Sequence, residues 1–299
     1  MKRSRRLGNR ILIVTFLLPA IALYSVFFMF PVVRALVVSL FVWNGWTADM
    51  TFVGLENFAN MTQDSLFWEA IGRTLIISVG GGLLLFGLVL FLGGVLLRPL
   101  RFKRAFRAVL FFPVVLPGIA VGIIWAFVYN YDWGPVSGAA GAVGLEALRG
   151  PWLAPDRIIP ALTVAVVWTY AGYYLLLVLA GIDRVPRDLL EAARLDGAGE
   201  WTTYRRVVLP VVGDVLDIAL ILWIVGSLRI FDVIAAITLP MPSPTTYTLS
   251  IYVWAQTVGG DPPAFRLGYG TALGVVLLAL AMTGAAVSRL RGPRQRIEY

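Results

Sequence analysis

From Ile11 to Phe30 the chain is almost wholly apolar. About twenty such residues in a helix, each rising 1.5 Å, cross a hydrocarbon core ~30 Å thick. Inside lipid every backbone N–H and C=O must find its partner within the protein, so an isolated run of this kind spans as an α-helix. Five more blocks of the same character stand at 74–97, 108–129, 158–182, 215–239 and 267–287. The strongly basic segments alternate with them. They are 1–10 (Lys2, Arg3, Arg5, Arg6, Arg10), the turn after the second block (Arg98, Arg101, Lys103, Arg104, Arg107), the stretch 183–212, and the tail 289–299 (Arg289, Arg291, Arg294, Arg296). Six spans with both termini cytoplasmic put all four on the inner face, as the positive-inside rule requires. The expected fold is an all-α integral membrane bundle of six transmembrane helices.

The first span and its outward extension cover 11–43. Ala20-Ile21-Ala22 resembles a signal-peptidase site, but the apolar run continues well past it, and a signal h-region is only about 7–15 residues long. The first span is therefore read as uncleaved. Residues 44–72 carry Asp49, Glu56, Asp64 and Glu69 with no Lys or Arg, and are read as an outside loop. The rest of the bundle is 73–288. Its second span holds Gly80-Gly81-Gly82 and Gly93-Gly94, small residues that let helices approach closely. The third holds Pro113, Pro117 and Gly118, the pattern of a kinked helix, read either as lining a pathway or as structural. The fifth carries Arg229 and Asp232 at i, i+3, read first as a pair that satisfies itself and second as lining a pathway. Residues 130–157 and 240–266 are read as outside loops.

Composition limits the chemistry. The chain of 299 residues is 59% hydrophobic and 14% charged, with mean hydropathy +0.82, where soluble domains carry roughly 25% charged residues. No cysteine means no disulfide, thiolate metal site or cysteine nucleophile. No histidine removes the commonest general base and metal ligand. No metal site is expected, and an integral membrane enzyme would have only scattered Asp and Tyr to work with. The net charge of +8 sits beside apolar blocks rather than on a basic face, so nucleic acid is not an expected partner. A P-loop needs Lys after Gly, and the two lysines, Lys2 and Lys103, follow Met and Phe. This chain does not hydrolyse ATP by that motif.

The stretch 183–212 gathers much of the charge of the chain, including Arg187, Asp188, Glu191, Arg194, Asp196, Glu200, Arg205 and Arg206. At 100° per residue, Pro186, Leu189, Leu190, Ala193 and Gly197 share one helix face, with Arg187, Asp188, Glu191 and Arg194 opposite. Pro186 suits the first helical position, Gly197 the position past the end, and Arg194 the negative helix terminus. Arg187 and Glu191 are spaced i, i+4 for an ion pair. A second helical run, 200–208, closes at Leu209-Pro210. An interfacial helix would show large apolar residues and a basic polar face. Small residues beside mixed charge fit better with docking into a groove of another protein.

Glu191-Ala192-Ala193, Gly197 six residues after the Glu, Val207 ten later and Leu209-Pro210 resemble the EAA loop of membrane subunits of binding-protein-dependent ABC importers. Val207 stands where the consensus has Ile. Asp196-Gly197-Ala198 is similar to the D-G-A of the carbohydrate branch. The opening LLPAIALYSVFFMFPVVRALVVSLFVW, Phe231-Asp232-Val233-Ile234, Leu249-Ser250-Ile251-Tyr252 and Leu267-Gly268-Tyr269-Gly270 resemble MalF-type sugar permeases. Two positions depart: Arg73-Thr74-Leu75 where the family has Asn-Thr-Leu, and Thr238-Leu239-Pro240-Met241-Pro242 where it often has T-G-G-G-P. The end of the chain lacks the tail of MalG-type subunits, which favours the MalF-like half.

The resemblance implies a type I ABC importer transmembrane domain in a prokaryotic plasma or inner membrane, with 73–288 as the permease core. It implies four partners: a second, MalG-like permease subunit forming a heterodimer, a dimer of cytoplasmic ATP-binding subunits, an extracytoplasmic solute-binding protein, and a sugar or oligosaccharide as cargo. ATP and Mg would be held by the partner ATPase, leaving no cofactor in this chain. The loop residues Pro186, Leu190, Glu191, Ala192, Ala193, Arg194, Asp196, Gly197, Leu209 and Pro210 would couple to that ATPase. Trp125, Tyr170, Tyr173, Tyr174 and Phe231 could stack on sugar faces, with Arg229 and Asp232 as polar groups of the pathway; the alternative for each aromatic is helix packing or an interfacial belt. The alternative functions are an ABC permease for a non-sugar solute such as glycerol phosphate, and an ion-coupled secondary transporter.

Overall fold

The computed structural model describes residues 14–97, 101–145, 149–238, 242–259 and 264–289. The basic segments 1–10 and 290–299, Arg98 and the Leu239–Met241 departure lie outside them. By contact the chain falls into two units, one of residues up to Asp64 with Val253–Val276, the other of Ser65–Tyr252 with the residues from Leu277 onward.

In the first unit, α1 (Val14–Val38) is apolar and almost entirely exposed, as a lipid-facing helix should be. It ends at Val38 rather than extending to residue 43. Ser39 Oγ donates to Leu36 O, and the chain turns into a short antiparallel pair, β1 (Phe41–Val42) with β2 (Thr51–Phe52). Phe41 and Phe52 meet edge to face, and the Asn57 amide donates to Ser39 O and Phe41 O at 2.9 and 3.0 Å. Asn57 belongs to α2 (Glu56–Gln63), a helix inside the segment expected to be loop.

The second unit holds Ser65–Tyr252 and the residues from Leu277 onward, and its helices are set by how closely backbones approach. The long helix α3 (Ser65–Leu96) begins nine residues before the expected 74, because Glu69 and Arg73 pair along it instead of ending it. The Arg73 guanidinium also donates to Pro244 O at 2.7 Å, and Thr74 Oγ1 accepts from Leu249 N, the first residue of α12 (Leu249–Thr257). The departure at Arg73 thus ties α3 to the segment before α12. Burial holds the nearby Tyr247 phenol above its ordinary pKa.

The third block is two helices, not one kinked span. They are α4 (Lys103–Val115) and α5 (Gly118–Val128), bent by 102°. Leu116, held extended by the following Pro117, makes the break. The 130–157 loop contains α6 (Pro135–Ala142). The fourth block is α7 (Ile158–Ile182), with the expected bounds, and it is the most buried helix. A Cβ on Gly172 of α7 would overlap the Leu110 carbonyl of α4, so backbone packs on backbone there.

After α8 (Arg187–Leu195) and α9 (Glu200–Val211), the chain bends by 72° into α10 (Gly213–Ser227). The expected fifth span, 215–239, is also broken, and α11 (Asp232–Ile237) follows a gap at Leu228–Phe231. A wide π turn in α3, Ile76–Gly80, meets α10: Trp223 Nε1 donates to Ser78 O at 2.7 Å, and the Ser78 and Ser227 hydroxyls share a 2.7 Å bond. The last helix is α13 (Leu267–Arg289). Among the described residues, α1, α3, α7 and α13 are long and apolar enough to cross a membrane, and the bent pairs α4–α5 and α9–α10 raise the number to six if each is one span.

Gly172→Val should lower stability by about 1–3 kcal/mol, the usual cost of overpacking, because α4 cannot yield without moving its backbone. Gly87→Val, whose Cβ would have nothing within 4 Å, should stay near wild type. Thermal unfolding midpoints in detergent compare the two; equal midpoints would show that the α4–α7 approach does not hold the bundle together.

Candidate functional site

The charged loop folds as two limbs. In α8 the acid Asp188 lies in the first turn and Arg194 in the last, both favourable to the helix dipole. Pro186 is not the first helical residue. It stands one position earlier, at the cap, with φ −56° and ψ 135°. The far end closes as a Schellman motif: Ala198 N donates to Ala193 O at 2.9 Å and Gly197 N to Arg194 O at 3.0 Å. Gly197 has φ +78° with open space around its Cβ, so glycine is required here by backbone conformation alone.

The expected faces hold within the helix, but Gly197, expected on the apolar face, lies past the helix end and is exposed. Ala193 is buried, Leu189, Leu190 and Pro186 are half-buried, and Arg187, Asp188, Glu191 and Arg194 are exposed, as are Ala192, Asp196 and Gly197. Arg187 and Glu191 do not form their expected ion pair among the described residues. One residue was missed: Leu195, four after Glu191 on the polar face, is 89% exposed. Its place on that face was the available signal. The second limb, α9, runs past the expected 208 to Val211. Its wide turn, Tyr204–Val208, leads into Leu209-Pro210, so that Pro210 enters without a normal i−4 hydrogen bond to lose. Leu209 is half-buried and Pro210 exposed. At the start of the loop, Arg107 of α4 grips Asp183 at 3.2 and 3.5 Å.

The second candidate lies where the helices break. The α4–α5 break and the α10–α11 break both face α7 and enclose a cavity of about 170 Å³. Thr169 and Tyr170 of α7, Gly118, Arg229, Phe231 and Asp232 line it. Four of the seven expected pathway residues therefore come together: Tyr170, Arg229, Phe231 and Asp232. The other three do not join them. Trp125 packs on Tyr129 and Trp168 at 5.0 and 5.6 Å, Tyr174 is buried against Phe86 and Trp223, and Tyr173 is an exposed neighbour of Tyr174.

Arg229 and Asp232 also do not satisfy each other. No ion pair joins them among the described residues, because Arg229 lies in the gap and Asp232 opens the next helix, so i, i+3 helical spacing does not apply. Gly118, not singled out as a pathway residue, is needed where it stands, since a Cβ there would come within 2.8 Å of Asp232 Cβ. The described residues contain no group of three potential metal ligands.

Known proteins share this architecture and this sequence. The family model for the binding-protein-dependent transport system inner membrane component matches residues 84–297. The sulfoquinovosyl glycerol transport system permease protein SmoG of Agrobacterium fabrum is 33% identical, over 94% of this chain and 90% of its own. The diacetylchitobiose uptake system permease protein NgcF of Streptomyces coelicolor is 33% identical, over 91% and 80%. The trehalose/maltose transport system permease protein MalF of Thermococcus litoralis is 29% identical, over 89% and 88%. A chain of a bacterial ABC transporter that imports the acidic polysaccharide alginate matches the fold with a TM-score of 0.78 at 22% identity, covering 98% of this chain and all of that one. The chain belongs to the inner membrane components of binding-protein-dependent transport systems and is a membrane-embedded permease subunit of an ABC importer.

Proposed function

We propose that this permease forms half of the pathway for a sugar or oligosaccharide, with α8 as the helix that engages the ATPase. The observation that carries the reading is the construction of α8. It is a short rigid helix, closed by a Schellman turn, whose exposed face joins mixed charge to a bare leucine. A partner groove is what such a face lacks. Saccharide cargo is supported by the named substrates of SmoG, NgcF and MalF and by the alginate importer.

In this reading the chain has six spans with both ends cytoplasmic. Segment 11–43 is the first span with its extension, 73–288 the permease core, and 183–212 the coupling loop. A MalG-like subunit completes the pathway, an extracytoplasmic binding protein delivers cargo, and separate ATP-binding subunits hold ATP and Mg. A related importer was solved with its alginate-bound periplasmic protein, which supports the delivery step. Closure of the ATPase dimer would push α8, and α9 would carry the push into α10. The cavity at the helix breaks would hold part of the passing solute: Tyr170 and Phe231 offer ring faces, and Arg229 and Asp232 offer polar contacts. Arg229, without an ion-pair partner among the described residues, favours an acidic saccharide or a polyol phosphate such as glycerol phosphate as the second reading.

Gly197→Asp strains only the left-handed turn that closes α8, outside the apolar helices, so the protein should still insert while substrate-stimulated ATP hydrolysis by the assembled complex disappears. Unchanged stimulation would sink the coupling role. Leu195→Asp should weaken capture of the ATP-binding subunit at least about tenfold, as loss of an interface hot spot does; co-purification at wild-type yield would count against the docking face. For the cavity, Asp232→Asn and Arg229→Gln should lower the transport rate several-fold with the ATPase subunits still bound. Transport of neutral and acidic oligosaccharides in proteoliposomes tells the two cargo readings apart, because only acidic cargo should lose more on the Arg229 change. Wild-type uptake of both by both variants would remove the cavity from the pathway.

A further inference from the structure

The second limb of the loop grips more than the helix it leads into. Tyr204, on the wide turn of α9, is 1% exposed, and its hydroxyl donates to Leu90 O of α3 at 2.7 Å. Beneath the ring α3 has no side chains. A Cβ on Gly93 would stand 2.9 Å from Tyr204 Oη, and one on Gly94 would stand 3.0 Å from Tyr204 Cδ1 and 2.5 Å from Trp201 Cζ3. Trp201 lies against Tyr204, with ring centroids 5.4 Å apart, and covers the outer edge of the contact. Glycine inside a helix costs about 1 kcal/mol relative to alanine. Two in succession under two aromatic rings make a seat.

The helix α3 is thus held at two levels by neighbouring parts of the chain. Near Leu90–Gly94 it is held by α9. Higher up, at Ser78, it is held by α10 through Trp223 and Ser227. Between the two holds α9 and α10 meet at a 72° bend. A bend transmits a push by changing its angle, whereas rings seated on bare backbone transmit it as a rigid contact.

We infer that Tyr204 is a positioning residue that carries the displacement of α8 directly into α3, so that α9 and the glycine end of α3 move as one body. The inference rests on α8 being the coupling helix. It adds a second route to the one through Val212 and α10.

The test uses the complete transporter in proteoliposomes, with its ATP-binding subunits and binding protein. Tyr204→Ala should cut solute transported per ATP hydrolysed by about tenfold, within the usual range for coupling between sites. The ATPase subunits should still co-purify, and basal hydrolysis should persist. Tyr204→Phe, which keeps the ring in its seat, should restore most of the ratio. A transport-to-ATP ratio equal to wild type in Tyr204→Ala overturns the inference.

A second arm does not depend on how well that variant folds. Gly94→Ala keeps Tyr204 but sets a Cβ 3.0 Å from its Cδ1 and 2.5 Å from Trp201 Cζ3, lifting the rings from their seat, and should lower the same transport-to-ATP ratio. Gly87→Ala, whose Cβ meets nothing within 4 Å, should leave it at wild type. Wild-type coupling in Gly94→Ala, or an equal loss in Gly87→Ala, overturns the inference. Gly197→Asp separates the two readings. If it loses stimulation while Tyr204→Ala couples normally, only the Tyr204 route fails. If it keeps stimulation, the coupling helix itself fails.

Discussion

Backbone groups inside a membrane must be satisfied by protein, and this requirement decides where the chain is free to break. Two of the breaks in the second unit, at Leu116–Pro117 and at Leu228–Phe231, face α7 and open onto one cavity. Helix α7 is unbroken and deeply buried, and its Gly172 lets the α4 backbone lie against it without an intervening side chain. An irregular segment facing lipid would leave N–H and C=O groups without partners. Facing a buried helix and a polar cavity, the same segment becomes a place where polar side chains can be set at membrane depth. The cavity and the broken helices are one feature.

That dependence also explains what could be read from the amino-acid sequence. The block 158–182 was legible to the residue because its composition and its burial agree. Loop helix α8 was legible because capping chemistry is local: Gly197 closes it for a reason that neighbours do not alter. The breaks were not legible. Pro113, Pro117 and Gly118 announce a kink, but whether a proline bends a helix or divides it depends on what receives the freed carbonyls. Arg229 and Asp232 looked like a pair only on the assumption of a continuous helix. The early start of α3 escaped because Arg73 reads as the end of an apolar block, while its guanidinium reaches carbonyls 171 residues away. Trp125 and Tyr174 have the same composition signature as Tyr170, and only packing separates rings that fill the core from a ring that lines the cavity.

The placement of charge follows the same economy. The exposed acids and arginines of α8 stand outside the apolar helices, where solvation is available, and they leave few intramolecular pairs behind. Surface pairs contribute little to stability, so their removal from internal partnerships costs the fold almost nothing. Leu195 is the opposite case. A leucine at 89% exposure in a charged setting buries little against this chain, and in the proposed reading its burial comes against the ATP-binding subunit.

In the proposed reading, power and selectivity reside in different physical regimes of one chain. The coupling loop depends on rigidity: a glycine-closed helix, aromatic rings on Gly93 and Gly94, and an ion pair between Arg107 and Asp183 at its root. The cavity depends on polar groups left without internal partners, since a fully satisfied Arg229 would have nothing to offer a passing solute. What links the two is α3, held at Leu90 by the loop and at Ser78 by the helix that ends one residue before Leu228 and the gap carrying Arg229. By the inferred Tyr204 route, a push at α8 would reach the cavity without passing through the bend before α10. The same long helix that sets the distance between the two sites also joins them.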